Sequence, residues 1–294
     1  MTIVEVIEKF GNQQSCYEHL EMVRWGGIPL CPYCGASNSS KKAGSNRHLC
    51  HQCNNSFSVL VGTVMESTKL PLNKWFVAIV LIVNAKKGIS SLQLSRDIGV
   101  NKNTALYLQK RIRWAMSSLD NFLSGIVEVD ESYVGGSLTN KHKADKEKNN
   151  MDKCGMTHRQ VVLGMLQRPN KVVAIKIEKA DSATIRPILK DYIDGESTVV
   201  TDGFGAYRNL HNSHSKHVVL NHSKDEYTKG IYNTSRLDNF WMMAKRAIVG
   251  QYHKISDKHL QLYLNELSFK ANNRGKDLFD LLINNVMNPK YAFC

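Results

Sequence analysis

The pattern of apolar and polar positions changes character near residue 120. Upstream, apolar residues recur at helical spacing. The stretch 70–88, LPLNKWFVAIVLIVNAKKG, predicts a helix opened by Pro71 and stopped at Gly88. Residues 90–116, SSLQLSRDIGVNKNTALYLQKRIRWAM, predict helix, tight turn, helix, with Gly99 in the turn and Asn101 as N-cap of the second helix. Leu92, Leu94, Ile98, Val100, Leu106 and Ile112 are expected to hold the pair together. Downstream of Leu119 the strand pattern takes over. GIVEVDESYVGG is a first strand, and RQVVLGMLQ and KVVAIKIEKA form a hairpin through the turn RPN. SATIRPILKDYI is a helix, STVVTDGFGAY a strand running into a turn, and KHVVLNHS a last short strand. From Asn233 onward the pattern is helical, in SRLDNFWMMAKRAIV and SDKHLQLYLNELSFKANNR. An antiparallel trio followed by alternating strands and helices predicts a mixed α/β sheet.

Charge narrows the function. Over 294 residues, 39 Lys+Arg stand against 26 Asp+Glu, a formal net charge of +13, which favours a polyanionic partner such as nucleic acid. The longest apolar run, Trp75 to Val83, is far short of the roughly 20 residues of a membrane span. The start MTIVEVIEKF carries Glu5 and Glu8 and lacks the basic, then apolar, pattern of a secretion signal, so a cytoplasmic, nucleoid-associated protein is expected. A polar stretch at 137–160 has six basic against three acidic residues and reads as a loop. It could touch DNA, or be a plain solvated charge run.

Four of the seven cysteines form two CxxC pairs, Cys31/Cys34 and Cys50/Cys53, with fifteen residues between them. Each pair suits a tight knuckle presenting two thiolates to one ion, and four thiolates complete the tetrahedron of a structural Zn²⁺. His48 and His51 lie close enough to replace one thiolate; Cys16, Cys154 and Cys294 read as ordinary thiols. The helical pair at 90–116 then reads as a helix-turn-helix, whose second helix enters the DNA major groove at its N-terminal end. Lys102, Asn103, Lys110, Arg111 and Arg113 are the expected DNA contacts on it; a plain α-hairpin is the competing reading.

The strand IVEVDESYV raises a different question, because a carboxylate in an apolar sheet is costly unless paired or metal-bound. Asp130 stands in that strand, Asp202 ends the strand STVVTD, and Asp238 lies early in the helix SRLDNFWMMAKR. Acids from adjacent strands and a packing helix can converge. Three carboxylates there suit Mg²⁺ or Mn²⁺, and two such ions can drive an in-line displacement at a phosphodiester. Against this stand simpler roles: a turn aspartate at 202, and a helix-start aspartate at 238. Lys245 and Arg246 follow Asp238 on the same helix and could hold a phosphate, or merely face solvent. Trp241 reads as core, and His222 as a structural histidine.

At these residues the chain resembles the insertion-sequence 1595, or ISXO2-like, transposases. The marks are CPYCG…LCHQCNNSFSVLVGTVMESTKLPLNKWFVAI, VEVDESYVGG, VVTDGFGAY, LNHS and FWMMAKRAIVGQYHKISDKHLQLYLNELSFKANNR, which together cover nearly the whole chain. The resemblance implies three parts. They are a zinc-ribbon region at 1–66, a helix-turn-helix region at 67–120, and an RNase H-like (retroviral-integrase-like) DDE/D catalytic domain with a helical C-terminus at 121–294. It places the family's three acids on Asp130, Asp202 and Asp238, the last where Glu is usual, with Glu266 as the alternative third acid. Asn233 and Ser235 stand where a His and an Asn are expected. The implied activity is cleavage of element ends and joining of their 3′-hydroxyls to target DNA, by a homo-oligomer in the synaptic complex. The rival readings are a DNA-binding regulator with an inert catalytic domain, and an RNase H-like nuclease without strand transfer. Terminal inverted repeats flanking the reading frame would favour transposition over both.

Overall fold

The computed structural model describes residues 1–135, 159–208, 210, 213–221 and 226–292. Most of the polar stretch 137–160, together with Gly136, Cys154, His222 and Cys294, lies outside the described residues. The chain forms two compact units: Met1–Ser117 together with Gly275–Cys294, and Ser118–Arg274. This corrects the expected 121–294 domain. The C-terminal segment belongs with the N-terminal residues because its helix Leu278–Met287 buries Phe279, Leu282, Ile283, Val286 and Met287 in their core. Among the described residues no helix is long and apolar enough to cross a membrane.

The first unit opens with α1 (Ile3–Phe10), started by a capping box between Thr2 and Glu5, and α2 (Gln13–Trp25), capped by Asn12 and ended by Gly26 in the left-handed region. Further on come α3 (Leu72–Asn84), α4 (Ser91–Asp97) and α5 (Lys102–Ala115). Pro71 precedes α3, and the Asn101 side chain accepts the Asn103 N–H to start α5. Phe10 packs edge-on against Phe76, centroids 4.8 Å apart, and Phe279 lies 5.8 Å from Phe76. These rings join α1, α3 and the C-terminal helix in one core.

Between α2 and α3 lies a small three-stranded antiparallel sheet, β1 (Ser39–Lys41), β2 (His48–Cys50) and β3 (Ser56–Phe57). Its two cysteine pairs fold alike. Gly35 donates its N–H to the Cys31 carbonyl and Asn54 to the Cys50 carbonyl, each at 2.9 Å, and both donors sit at positive φ. Gly and Asn tolerate that conformation, which is why CPYCG and CHQCN can turn so tightly. The four sulfurs lie within 4.8 Å of one another, and Cys31–Cys53 and Cys34–Cys50 are both 3.6 Å apart. A tetrahedron with Zn–S bonds of about 2.3 Å has edges of about 3.8 Å, so the donor set fits zinc. The backbone N–H of Cys53 helps pull the Cys50 thiol down to about 7, towards the thiolate that a metal needs. His48 is turned away from the sulfurs to Glu21, 3.0 Å distant, and stacks on Phe57.

The second unit is built on a five-stranded sheet of β4 (Ile126–Val134), β5 (Gln160–Gln167), β6 (Lys171–Ile177), β7 (Thr198–Asp202) and β8 (Lys216–Leu220), in the order β6-β5-β4-β7-β8. The β6, β5 and β4 strands pair antiparallel, while β4, β7 and β8 run parallel. Both faces are covered, so the strands read as nearly continuous apolar runs. One face, with Val127, Val129, Leu163 and Val199, packs on α6 (Ser182–Tyr192) through Ile185 and Leu189. The other, with Val134, Val162 and Leu166, packs on α7 (Ser235–Ala247) and α8 (Leu260–Asn272) through Leu237, Trp241 and Leu264.

Gly164, opposite Asp130 on β5, lets α7 approach closely. A Cβ there would stand 2.4 Å from the Trp241 ring and 3.0 Å from Leu237. Trp241 is thus core, as its apolar neighbours imply.

Two outcomes are expected. Gly164→Val should lower stability by about 1–3 kcal/mol through overpacking, read as a fall in the denaturant midpoint without a change in slope. The protein should purify with about one zinc ion per chain by metal analysis, and Cys50→Ser should lose both that zinc and the protection of residues 30–57 from proteolysis.

Candidate active site

The parallel ladder between β4 and β7 ends at the pair Glu128–Val200. Asp130 and Asp202 each lie two residues further on, at equivalent places where the two strands part. Alternation puts both on the face covered by α7. Asp130 remains within the β4–β5 pairing, whereas Asp202 ends its strand and accepts the Phe204 N–H at 2.9 Å. Asp238 sits in the first turn of α7, exposed, and the Thr234 hydroxyl donates to its Oδ2 at 3.2 Å.

The electrostatics tie these acids together. Burial, then the carboxylates of Glu131, Asp202 and Asp238, push Asp130 up to about 7. A group strained in this way by three surrounding anions is suited to a cation. The donors are all carboxylate oxygens, the chemistry of a hard divalent ion rather than of zinc or copper. Among the described residues, the four cysteines are the group of three or more ligating side chains whose atoms come within 4.8 Å of one another; the three acids are more widely spread.

Two residues that the sequence reading left without a role also surround the site. Glu131 faces the α6 side, is raised by burial, and accepts the Tyr207 hydroxyl at 2.6 Å. Glu128 is fully buried on the Asp130 face and paired with Arg168. Strand parity in IVEVDES was the available signal, since Glu128 and Asp130 must point the same way. Glu266, the alternative third acid, is taken up elsewhere: Lys270 Nζ lies 2.6 Å from it and the Tyr252 hydroxyl donates to it.

The basic residues separate into two groups. Lys102 and Asn103 are exposed at the start of α5, and Lys110 is half-buried further along it. Arg111 and Arg113 are not surface residues, which corrects their assignment as DNA contacts. They are 5% and 1% exposed. Arg111 donates to the Glu66 carbonyl at 2.8 Å and lies over the Trp75 and Tyr107 rings, and Arg113 reaches Gln109. The exposed side of α5 instead carries Tyr107 and Trp114. Leu92, expected in the α4–α5 contact, is 46% exposed, while Leu94, Ile98 and Ile112 are buried. Lys245 and Arg246 are exposed near the end of α7.

The raised pKa of Asp130 has a pH signature. Its folded value of about 7 exceeds the ordinary 3.8, so the neutral form is favoured by folding. That stabilisation is complete below about pH 4 and is lost as pH rises through about 7, a difference of up to about 4 kcal/mol. In metal-free buffer, Asp130→Asn should match the parent in denaturant unfolding at pH 4 and exceed it at pH 8.

Residues 122–272 match the family model described as "ISXO2-like transposase domain", and residues 11–56 match that of the "Transposase zinc-ribbon domain". A protein from Halobacterium salinarum, described as an uncharacterized protein in transposable element ISH50, is 27% identical over 274 residues, covering 88% of this chain and 90% of its own length. An uncharacterized transposase-like protein from Haemophilus influenzae is 32% identical over 103 residues, 35% of this chain and 82% of its own length. The ribbon match and the four-sulfur cluster together support a structural Zn²⁺. The transposase-domain match spans half of the 294 residues, and the chain belongs to the insertion-sequence 1595, or ISXO2-like, transposase family.

Proposed function

We propose that this transposase hydrolyses the ends of an insertion element and joins the freed 3′-hydroxyls to target DNA, with Asp130, Asp202 and Asp238 as the catalytic carboxylates. The carrying observation is geometric: Asp130 and Asp202 stand at equivalent places where β4 and β7 part, on the face covered by α7, whose first turn carries Asp238. The strand order, third-second-first-fourth-fifth with the second strand antiparallel, supports reading the unit as RNase H-like. The carboxylates suit two Mg²⁺ or Mn²⁺ ions, which when bound activate the attacking oxygen and stabilise the leaving one. The protein's own part is placement. Phe204 N–H orients Asp202, the Thr234 hydroxyl orients Asp238, and the pairing with β5 fixes Asp130. Lys245 and Arg246 offer charge for a phosphate on the same helix as Asp238.

We read α4 and α5 as a helix-turn-helix that recognises the element's ends, Lys102 and Asn103 leading into the groove and Lys110 serving the backbone. A homo-oligomer pairing two ends completes the scheme.

Asp130→Asn and Asp202→Asn should abolish cleavage of end-containing DNA while leaving the fold and end binding intact. Asp238→Glu should keep or raise cleavage, Asp238→Ala should remove it, and EDTA should stop cleavage without releasing DNA. Parental cleavage by Asp238→Ala sinks the third assignment. No cleavage by the parent with either metal on correct ends favours an inert DNA-binding regulator, and cleavage without joining favours a nuclease.

On the DNA side, binding should weaken steeply with salt. Asn103→Ala should reduce discrimination between element ends and random DNA. Arg111→Ala should instead lower the melting temperature, because its guanidinium is part of the core.

A further inference from the structure

The fully buried Glu128 carboxylate has two partners. One oxygen accepts Arg168 Nε at 2.9 Å and the other accepts the Leu237 backbone N–H at 3.1 Å. The same guanidinium donates from Nη1 to the Ile231 carbonyl at 2.6 Å and from Nη2 to the Asn233 carbonyl at 3.0 Å. Arg168 therefore ties the central strand to the last turn of chain before α7, and Glu128 ties that strand to the first turn of the helix itself. Taking such a pair out of water is costly, and apolar residues of similar volume often serve stability as well. Geometry offers the better account.

At the start of α7, Thr234 occupies the N-cap position without a side-chain bond to the helix backbone, and Asn233 Oδ1 accepts the Ser235 N–H at 3.3 Å but does not reach Leu237. The first-turn donors of the helix need an acceptor, and a carboxylate is the favourable one at that end of the helix dipole. Glu128 supplies it from across the sheet. The Thr234 hydroxyl is thereby left for Asp238. The two residues in the bond, Glu128 and Leu237, are also the near neighbours of the acids, two positions before Asp130 and one before Asp238. Gly164 removes the Cβ that would lift Leu237 and Trp241 off the strand at this level.

We propose that Glu128 and Arg168 are positioning residues that clamp the start of α7 to the central strand and so fix Asp238 beside Asp130. This rests on the reading of Asp238 as a catalytic acid. Neither residue touches the reacting atoms; they act through the helix.

The test uses the full-length protein with Arg168→Lys and Glu128→Gln, chosen because each keeps much of the buried volume. Two readouts are taken. The first is cleavage of end-containing DNA against Mg²⁺ concentration, with the half-saturating concentration separated from the maximal rate. The second is hydrogen exchange of the Leu237 and Asp238 amides without metal. Both variants should need about 10- to 100-fold more Mg²⁺, the usual cost of losing a partner that orients a metal ligand. The two amides should exchange at least about 10-fold faster, while the β5 amides and end-DNA binding stay as in the parent. A merely structural pair would loosen β5 as well, and that result overturns the proposal. Parental metal response and parental exchange in both variants, in a protein that Asp238→Ala inactivates, overturns the clamp alone. Parental cleavage by Asp238→Ala removes the catalytic reading, and the positioning role with it.

Discussion

Carboxylates taken out of water in the central strand constrain most of the second unit. Glu128 is fully buried, Asp130 and Glu131 are half-buried, and each is answered differently. Glu128 has a cation and a helix N-terminus, Glu131 has the Tyr207 hydroxyl, and Asp130 faces other anions. A sheet can hold such a strand only if its neighbours are arranged around those needs. The turn after β5 must supply Arg168, the first turn of α7 must present the Leu237 N–H, and β5 must have no side chain at position 164. The apolar faces on either side then provide the burial that offsets the cost of desolvation.

The first unit solves a different problem by the same kind of local accounting. The ribbon's three short strands bury too little to hold themselves together, so the four thiolates and their metal supply what a core would. The helices around it need no such help, because Phe10, Phe76 and Phe279 close a conventional core. Arg111 and Arg113 are buried in the same unit, where they donate to the Glu66 carbonyl and the Gln109 side chain.

Much of this was readable in the chain. The strands from 126 to 220 and the helices at 182–192, 235–247 and 260–272 follow period and turn residues closely, because both sheet faces are apolar and the connections are short. The CxxC pairs announced themselves by spacing, and an acid in an apolar strand announced its need for partners without naming them. What spacing could not reveal were partners distant in sequence. Arg111 finds Glu66 and Trp75, Glu128 finds Leu237, and residues 278–287 find helices near the other end of the chain. An arginine at helical spacing looks like surface until its aromatic neighbour is placed over it, and a terminal helix looks like a continuation of whatever precedes it.

The discontinuity of the first unit bears on the order in which the chain can fold during synthesis. Residues 118–274 are contiguous, so the sheet and its acids can assemble as soon as they have emerged from the ribosome. The zinc ribbon is made earlier and can take its metal at once. Yet Phe10 and Phe76 wait beside an unfilled place until Phe279 arrives. Through that interval the nascent protein has a folded transposase-domain unit and an incomplete helical one. A chain cut short after residue 274 would keep the sheet and lose the core that encloses α1 and α3.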